Sequence, residues 1–182
     1  MIGIIDYGMG NLGSIFNMLN KIGVRAVISS NPLEIQKAEK LILPGVGAFD
    51  NAVKNLTELK IIPILNKKVL EEKTPILGIC LGMQIFTRKS EEGHLPGLGW
   101  VDAETVKFNF EGMFRKLKLP HMGWNTVEIK NTESIFKDID ENARFYFVHS
   151  YYVKCSNEED ILSTTDYGIK FVSSIKKDNI FG

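Results

Sequence analysis

The first half of the chain alternates short apolar runs with longer amphipathic segments. Within residues 11–23, apolar residues recur at 12, 15, 16, 19 and 22, which is helical spacing, and Gly23 then ends the predicted helix. Short apolar runs typical of buried strands occupy 2–6, 24–29, 40–44 and 75–80. A second helical segment, interrupted around Pro63, lies between the last two runs. This alternation predicts a parallel sheet covered by helices on both faces.

After about residue 95 the pattern changes to strand-like segments joined by turns. These segments are 101–108, 126–130, 143–155, 161–168 and 169–177. They predict an antiparallel extension of the parallel sheet. The expected fold is therefore an α/β open sheet with a parallel core, an antiparallel extension and helices on both faces. No linker interrupts the pattern, so we expect a single domain over residues 1–182.

Composition and charge exclude several classes of protein. The 22 basic and 22 acidic residues cancel, so no net positive charge indicates a nucleic-acid or anionic-membrane partner. No apolar run approaches the roughly 20 residues that span a bilayer, and residues 1–11 do not resemble a signal peptide. Two cysteines are too few for a disulfide framework. We expect a cytoplasmic protein without nucleic-acid or membrane partners.

The strongest chemical motif is Gly78-Ile79-Cys80-Leu81-Gly82, which has the G-x-nucleophile-x-G form of a nucleophile elbow. The run 75–80 enters it as a strand, and residues 81–89 are predicted to leave it as a helix. Such a turn lifts the thiol out at the sheet edge, and small flanking residues permit the strained backbone. A buried core cysteine is the alternative, but the two glycines favour a nucleophile.

A second candidate is the loop Pro44-Gly45-Val46-Gly47, directly after the third predicted strand. Two glycines in a tight loop allow backbone N–H groups to point into open space, as an oxyanion hole requires. The loop also lies at the carboxyl end of a strand, where open α/β sheets bind ligands. Taken alone the loop favours a plain β-turn, and its interpretation as an oxyanion-hole donor depends on the cysteine at the end of the next strand.

Residues 8–13 match G-x-G-x-x-G, a dinucleotide-binding fingerprint. The second predicted strand ends without the Asp or Glu that would bind a ribose hydroxyl, so an interface or another ligand is favoured. His94, His121 and His149 are each more typical of structural hydrogen bonding than of catalysis. No Cys or His pair has the spacing of metal ligands, so we expect no metal site.

Six motifs occur in order over nearly the whole chain: IDYGMGN, LPGVGAFD, GICLGMQ, GLGW, PHMGWN and FVHSYY. Together they resemble the class I, triad-type glutamine amidotransferases, and within that family the glutaminase subunit of imidazole glycerol phosphate synthase in histidine biosynthesis. The resemblance implies a flavodoxin-like open sheet and no cofactor. It implies hydrolysis of glutamine through a cysteine thioester. The released ammonia would pass to a (β/α)8-barrel cyclase subunit in a heterodimer.

The resemblance also implies roles for particular positions. Cys80 resembles the nucleophile, with Gly47 and Leu81 resembling the oxyanion-hole donors. The positions that resemble glutamine-binding residues are Gln84, Ser150 and Tyr151. The positions that resemble residues facing the cyclase partner are Asn11, Trp124 and Tyr146.

One element of the family pattern is not found in residues 1–182. The triad of the family is completed by a His-x-Glu segment, which would be expected to begin after Phe181-Gly182. We expect that the chain is a truncated piece of an active enzyme; a natural short form, catalytically impaired and kept to bind a partner, is the alternative. A paralogous amidotransferase that supplies ammonia to surface-polysaccharide sugar biosynthesis is a further alternative.

Overall fold

A computed structural model describes residues 1–112, 117–130, 135–140 and 142–182. Its core is a parallel sheet with strand order β2-β1-β3-β4-β12. The strands are β1 Ile2–Ile5, β2 Ala26–Ser29, β3 Lys40–Gly45, β4 Ile76–Cys80 and β12 Ile180–Phe181. The predicted runs at 2–6, 24–29, 40–44 and 75–80 all coincide with these strands.

Short helices connect the parallel strands. They are α1 Leu12–Lys21, α2 Pro32–Lys37, α3 Phe49–Glu58, α4 Ile62–Asn66 with a following π-helical turn Lys67–Glu71, and α5 Leu81–Ile85. The side chain of Asn31 accepts a hydrogen bond from the Leu33 N–H, and Pro32 opens the helix, so α2 has a standard start. The sequence pattern did not predict α2, because six residues are too few to show a helical period.

The antiparallel extension continues from β12 through β11 Ile169–Lys177, β10 Ile161–Tyr167 and β7 Glu128–Ile129. A branch leaves β11 through β9 Tyr151–Cys155 to β5 Ala103–Lys107. Residues 158–160 form one 3-10 turn before β10. The structure thus contains the predicted change from parallel to antiparallel pairing.

Two strands form a separate antiparallel sheet, β6 His121–Thr126 with β8 Arg144–His149. The sequence predicted one strand over 143–155, but the chain turns at Ser150, and β8 and β9 belong to different sheets. The pattern did not predict β6, because residues 120–125 contain a proline and a glycine, which are uncommon inside strands. The predicted helix 81–89 is also too long, since α5 ends at Ile85.

The main hydrophobic core lies between the parallel sheet and the helices beside it. Leu41 and Leu43 of β3, Phe49 and Leu56 of α3 and Phe86 are all buried there. Within the described ranges, no helix is long and apolar enough to cross a membrane.

Candidate active site

Cys80 occupies a strained turn between β4 and α5. Its φ of 55° and ψ of −112° lie outside the regions that side-chain-bearing residues ordinarily adopt. Steric contacts explain why glycines occupy positions 78 and 82 on either side of this turn. A Cβ on Gly82 would overlap the Leu43 carbonyl oxygen, and one on Gly78 would lie 2.5 Å from Cε2 of Phe86. Close packing of α5 on β3 and β4 therefore holds the thiol at the sheet edge, where the residue is exposed.

The loop at 44–47 lies directly beside this turn. Gly45, the last residue of β3, is the register partner of Cys80, so the loop after it leaves the sheet next to the thiol. The buried Tyr7 donates its hydroxyl hydrogen to the Pro44 carbonyl oxygen at 2.7 Å, and Asn55 Nδ2 donates to the Tyr7 carbonyl oxygen at 2.9 Å. Gly47 has a φ of 109°, which favours glycine. These contacts tie the end of β3, where the loop begins, to the segment that follows β1 and to α3.

Carboxylates fix the far side of the same loop. Glu92 accepts the Phe49 N–H at 3.0 Å, at the first residue of α3. Asp50 accepts the N–H groups of His94 and Leu95, and these bonds lower the pKa of its carboxyl. The start of α3, which follows this loop, is thereby bonded to residues 92–95.

The glycine-rich segment 8–13 packs against this loop. A Cβ on Gly10 would lie 3.3 Å from the Pro44 Cβ, and one on Gly47 would lie 2.9 Å from the Met9 methyl group. Asn11 is exposed and caps α1, its side chain accepting the Ser14 N–H at 3.2 Å. Packing on the neighbouring loop therefore gives Gly10 a structural reason that does not involve a dinucleotide.

A cavity of about 390 Å³ opens beside Cys80. All six residues predicted to form the catalytic and glutamine-binding site line it: Gly47, Cys80, Leu81, Gln84, Ser150 and Tyr151. Gln84 is buried, and its Nε2 donates to the Tyr151 carbonyl oxygen at 3.4 Å. Five stretches of the described chain border this cavity, 46–47, 80–84, 92, 120 and 148–151, and they bring polar groups next to the Cys80 thiol.

Glu92 is a residue of this cavity that the sequence did not single out. It stands in the polar run 90–94, where a carboxylate looks the same whether it faces solvent or a pocket. No local signal could have identified it. Its negative charge suits a cationic group on a ligand held next to Cys80.

The surroundings of Cys80 shift its pKa upward. Loss of hydration inside the pocket raises the pKa of the thiol most, the Leu81 N–H opposes this by hydrogen bonding to the sulfur, and the Glu92 charge raises it further. The thiol is therefore mainly protonated near neutral pH, and a base must remove its proton before attack.

The three histidines have different surroundings. His94 is exposed in the loop after α5. His149 lines the cavity, but its Nδ1 is 2.8 Å from the Tyr151 carbonyl oxygen and its Nε2 is 3.0 Å from Nδ1 of the buried His121. Both nitrogens of His149 are therefore engaged, and neither is free to take the thiol proton. The prediction that these two histidines serve structural hydrogen bonding agrees with this geometry.

A second cavity, of about 350 Å³, lies on the other side of Cys80. Its lining is largely apolar and aromatic, including Met83, Phe145, Phe147 and Phe171. Gly182, at the end of β12, also borders it. Cys80 thus borders both cavities, and the second has the more apolar lining.

Two of the three residues predicted to face a partner lie together on the outer face of the β6–β8 sheet. Trp124 and Tyr146 are register partners, with ring centroids 5.7 Å apart, and both are exposed. Met122 and Val148 form the next exposed pair on that face. In the part of the chain that the structure describes, no group of three or more His, Cys, Asp or Glu is arranged to hold a metal ion.

The chain is similar to a known family over nearly all its length. A family model for class-I glutamine amidotransferases matches residues 3–182. Imidazole glycerol phosphate synthase subunit HisH 2 of Methanococcus maripaludis is 57% identical over 100% of this chain and 89% of that protein. Subunit HisH 1 of Campylobacter jejuni is 50% identical and subunit HisH 2 of Pseudomonas aeruginosa is 44% identical, both with the same coverage.

Solved structures show the same fold at low sequence identity. A glutamine amidotransferase of Thermotoga maritima superposes with a TM-score of 0.68 at 16% identity, over 100% of this chain and 73% of that one. A second glutamine amidotransferase gives a TM-score of 0.69 at 16% identity, over 99% of this chain and 86% of that one. The α/β fold predicted from the sequence is confirmed.

Proposed function

Because the chain belongs to the class-I glutamine amidotransferase family, we propose that it is the glutaminase subunit of an imidazole glycerol phosphate synthase. It hydrolyses glutamine to glutamate and ammonia, and the ammonia passes to a cyclase subunit of histidine biosynthesis. The names of the relatives at 44–57% identity support this assignment. Such a biosynthetic enzyme, acting on free glutamine, is expected in the cytoplasm.

The observation that carries the proposal is the meeting of Cys80, the Gly47 loop and Glu92 at one cavity. The Cys80 sulfur attacks the carboxamide carbon of glutamine, and the carbonyl oxygen becomes an oxyanion. Backbone N–H groups at Gly47 and Leu81 would stabilise that oxyanion. When the carbon–nitrogen bond breaks, the leaving group takes a proton and departs as ammonia. Water then cleaves the glutamyl thioester, releasing glutamate and regenerating the thiol.

Glutamine recognition can be assigned to the cavity walls. Glu92 carries the negative charge that suits the α-ammonium group of glutamine, since a charge-assisted hydrogen bond is about twice as strong as a neutral one. Gln84, Ser150 and Tyr151 supply amide, hydroxyl and backbone groups around the same space. These groups orient the carboxamide toward Cys80.

The residue that accepts the thiol proton is not His149, because both of its ring nitrogens are engaged. The resemblance to the family gives that role to a His-x-Glu segment, which residues 1–182 do not contain. Strand β12 pairs in parallel with β4 and therefore ends at the edge of the sheet that carries Cys80.

The outer face of the β6–β8 sheet is the proposed docking surface for the cyclase subunit. Met122, Trp124, Tyr146 and Val148 are 51–61% exposed and form one apolar face of two cross-strand pairs. Aromatic side chains and Met are enriched at protein interfaces, which supports a barrel partner there. The sequence resemblance points to Asn11 as a further contact.

The relatives do not favour the two alternatives. The three relatives at 44–57% identity are all named as subunits of imidazole glycerol phosphate synthase, and none of these names refers to surface-sugar biosynthesis. A purely partner-binding role would leave the strained Cys80 turn and its glycines without a purpose.

The test is glutamate release by the full-length chain in complex with its cyclase subunit. Cys80→Ala should lower kcat by at least about a thousandfold, because the covalent route is lost. Cys155→Ala is the matched control, since Cys155 lies outside the cavity and burial raises its pKa to about 12. Retained turnover in Cys80→Ala, or equal loss in both variants, would refute the assignment.

A further inference from the structure

We propose that His121 is a positioning residue for glutamine, which acts through His149 to fix the backbone at Ser150 and Tyr151. The inference rests on the proposed function and deepens it. His121 does not line the cavity that holds Cys80, whereas His149, Ser150 and Tyr151 do. Its effect on the substrate must therefore pass through a neighbour.

The contact between the two histidines is set by strand pairing. His121 opens β6 and His149 closes β8, and the two are register partners across the sheet. His121 Nδ1 lies 3.0 Å from His149 Nε2, and His149 Nδ1 lies 2.8 Å from the Tyr151 carbonyl oxygen. A continuous hydrogen-bonded chain thus runs from β6 to the turn that borders the glutamine cavity.

The polarity of this chain follows from its ends. A carbonyl oxygen only accepts, so His149 Nδ1 carries the hydrogen and its Nε2 is the acceptor. His121 Nδ1 must then be the donor, which leaves His121 Nε2 as an acceptor. Asn125 Nδ2 lies 3.4 Å from that nitrogen and also donates to the Asp166 carbonyl oxygen at 2.9 Å. Every contact is satisfied when both rings are neutral.

Aromatic side chains enclose the pair. His121 stacks on Phe147 and on Tyr167, at centroid distances of 4.8 and 4.1 Å. Phe171 contacts both histidine rings, at 5.7 and 5.2 Å. His121 is only 3% exposed, so water cannot easily replace its N–H if it is lost. Burial lowers the pKa of both imidazoles, that of His121 to about 4, which is consistent with two neutral rings.

The chain holds the wall of the substrate cavity. The Tyr151 carbonyl oxygen accepts hydrogen bonds from His149 Nδ1 and from Gln84 Nε2, which fixes its position from two sides. Without the His121 donor, the partly buried His149 Nε2 loses its hydrogen-bond partner, and the imidazole is held less firmly. The Tyr151 carbonyl oxygen would then be fixed less well by one of its two side-chain donors.

Three substitutions at His121 separate its hydrogen bond from its packing. His121→Phe keeps a planar ring but removes the donor. His121→Asn places an amide N–H near the position of Nδ1, and His121→Gln places one farther out, near Nε2. In the full-length chain bound to its cyclase subunit, we expect the KM for glutamine to rise about tenfold in His121→Phe and His121→Gln. We expect kcat to stay within about twofold, and His121→Asn to keep KM within about twofold of wild type.

The pattern across the three variants decides the inference. An unchanged KM in His121→Phe, equal impairment in His121→Asn and His121→Phe, or a fall in kcat without a rise in KM would each overturn it. Should His121→Phe fail to fold, ¹⁵N NMR of the wild-type histidines supplies the decision. Neutral rings with His149 protonated on Nδ1 support the proposal, and a hydrogen on His149 Nε2 overturns it.

A protection experiment separates this inference from the proposed function. Iodoacetamide alkylates Cys80, and bound glutamine should slow that reaction in the wild-type complex. No protection of wild type by glutamine would refute the glutaminase assignment. Protection that requires the same glutamine concentration in wild type and His121→Phe would leave the assignment intact and refute the role of His121.

Discussion

The parallel half of the molecule and the β6–β8 sheet distribute polarity in opposite ways. In β3, Leu41, Ile42 and Leu43 are buried in succession. The groups that line the cavity beside Cys80 come only after the end of this strand. In the β6–β8 sheet the outward positions are Met122, Trp124, Tyr146 and Val148, whereas the inward positions include two histidines and an asparagine.

The two regions differ in what their apolar side chains stabilise. In the parallel sheet, burial of continuous apolar strands drives folding and positions Cys80 at the end of β4. The inward face of this sheet also carries Phe145 and Phe147, and of its two histidines only His121 is fully buried. The four outward apolar side chains are exposed and add little to the stability of the chain itself, and a cyclase subunit docked there, as proposed, would cover them.

Gly82→Ala should cause the largest loss of stability, in the parallel half of the molecule. The added Cβ would overlap the Leu43 carbonyl oxygen, so α5 must move off β3. We expect the free energy of unfolding to fall by about 3 kcal/mol, measured by urea denaturation. Gly13→Ala in α1 is the control, because nothing lies within 4 Å of its added Cβ. That variant should be neutral or gain up to about 1 kcal/mol, and similar losses in both would contradict the packing argument.

Trp124→Ala should leave stability nearly unchanged and weaken the partner complex. Trp124 is 61% exposed, so little buried area is lost within the chain. If it is an interface anchor, the Kd for the cyclase subunit should rise about a hundredfold, measured by calorimetry. Leu33→Ala removes a side chain that is 72% exposed on α2 and should leave the Kd unchanged. A Kd that does not change in Trp124→Ala would show that the cyclase subunit does not dock on this face.

The histidine pair should make the β6–β8 region sensitive to acid. The pKa of His121 is lowered to about 4 in the folded chain from 6.5, so the unfolded chain binds the proton more tightly. Stability is therefore full above about pH 6.5 and falls as the pH drops toward 4, by up to about 2.5 kcal/mol at pH 4.5. His149 and the stacked Tyr167 are the titratable groups that face this ring.

His121→Asn sharpens that measurement, because asparagine keeps the donor and does not titrate. Denaturation midpoints between pH 7 and pH 4.5 should decline less steeply in His121→Asn than in wild type. Equal slopes would show that other groups account for the acid sensitivity.

Glu92→Gln should have opposite effects on reactivity and on binding. Removing the charge lowers the pKa of the Cys80 thiol, so alkylation by iodoacetamide at pH 7 should quicken by roughly two- to threefold. The KM for glutamine should rise about tenfold, as the ammonium group loses its anion. Glu91→Gln is the control, since Glu91 does not line the cavity. Slower alkylation in Glu92→Gln would contradict the electrostatic account.

Local patterns in the sequence were sufficient for the first half of the site. The alternation of apolar and amphipathic runs located β1 to β4, and the two glycines around Cys80 identified the strand-to-helix turn. Gly47 was placed beside the thiol because consecutive parallel strands end at the same edge. The strands and the turn at Cys80 depend on residues within a few positions of one another, and the placement of Gly47 adds only the rule for where consecutive parallel strands end.

The remaining features required the tertiary structure. The sequence joined β8 and β9 into one strand, because both are apolar and aromatic and only the turn at Ser150 sends them to different sheets. Glu92 reaches the cavity because it bonds to the start of α3, 43 positions earlier in the chain. A local pattern contains no information about such a contact.

The amino-acid sequence by itself determined the fold class and the strand-to-helix turn that carries Cys80 between two glycines, because hydrophobic period and steric tolerance are properties of neighbouring residues. Only the tertiary structure decided the pairing of His121 with His149, the charge inside the cavity and the apolar face of β6 and β8. Those features depend on strand register and on long-range packing, where a shift of one residue would turn every side chain to the opposite face.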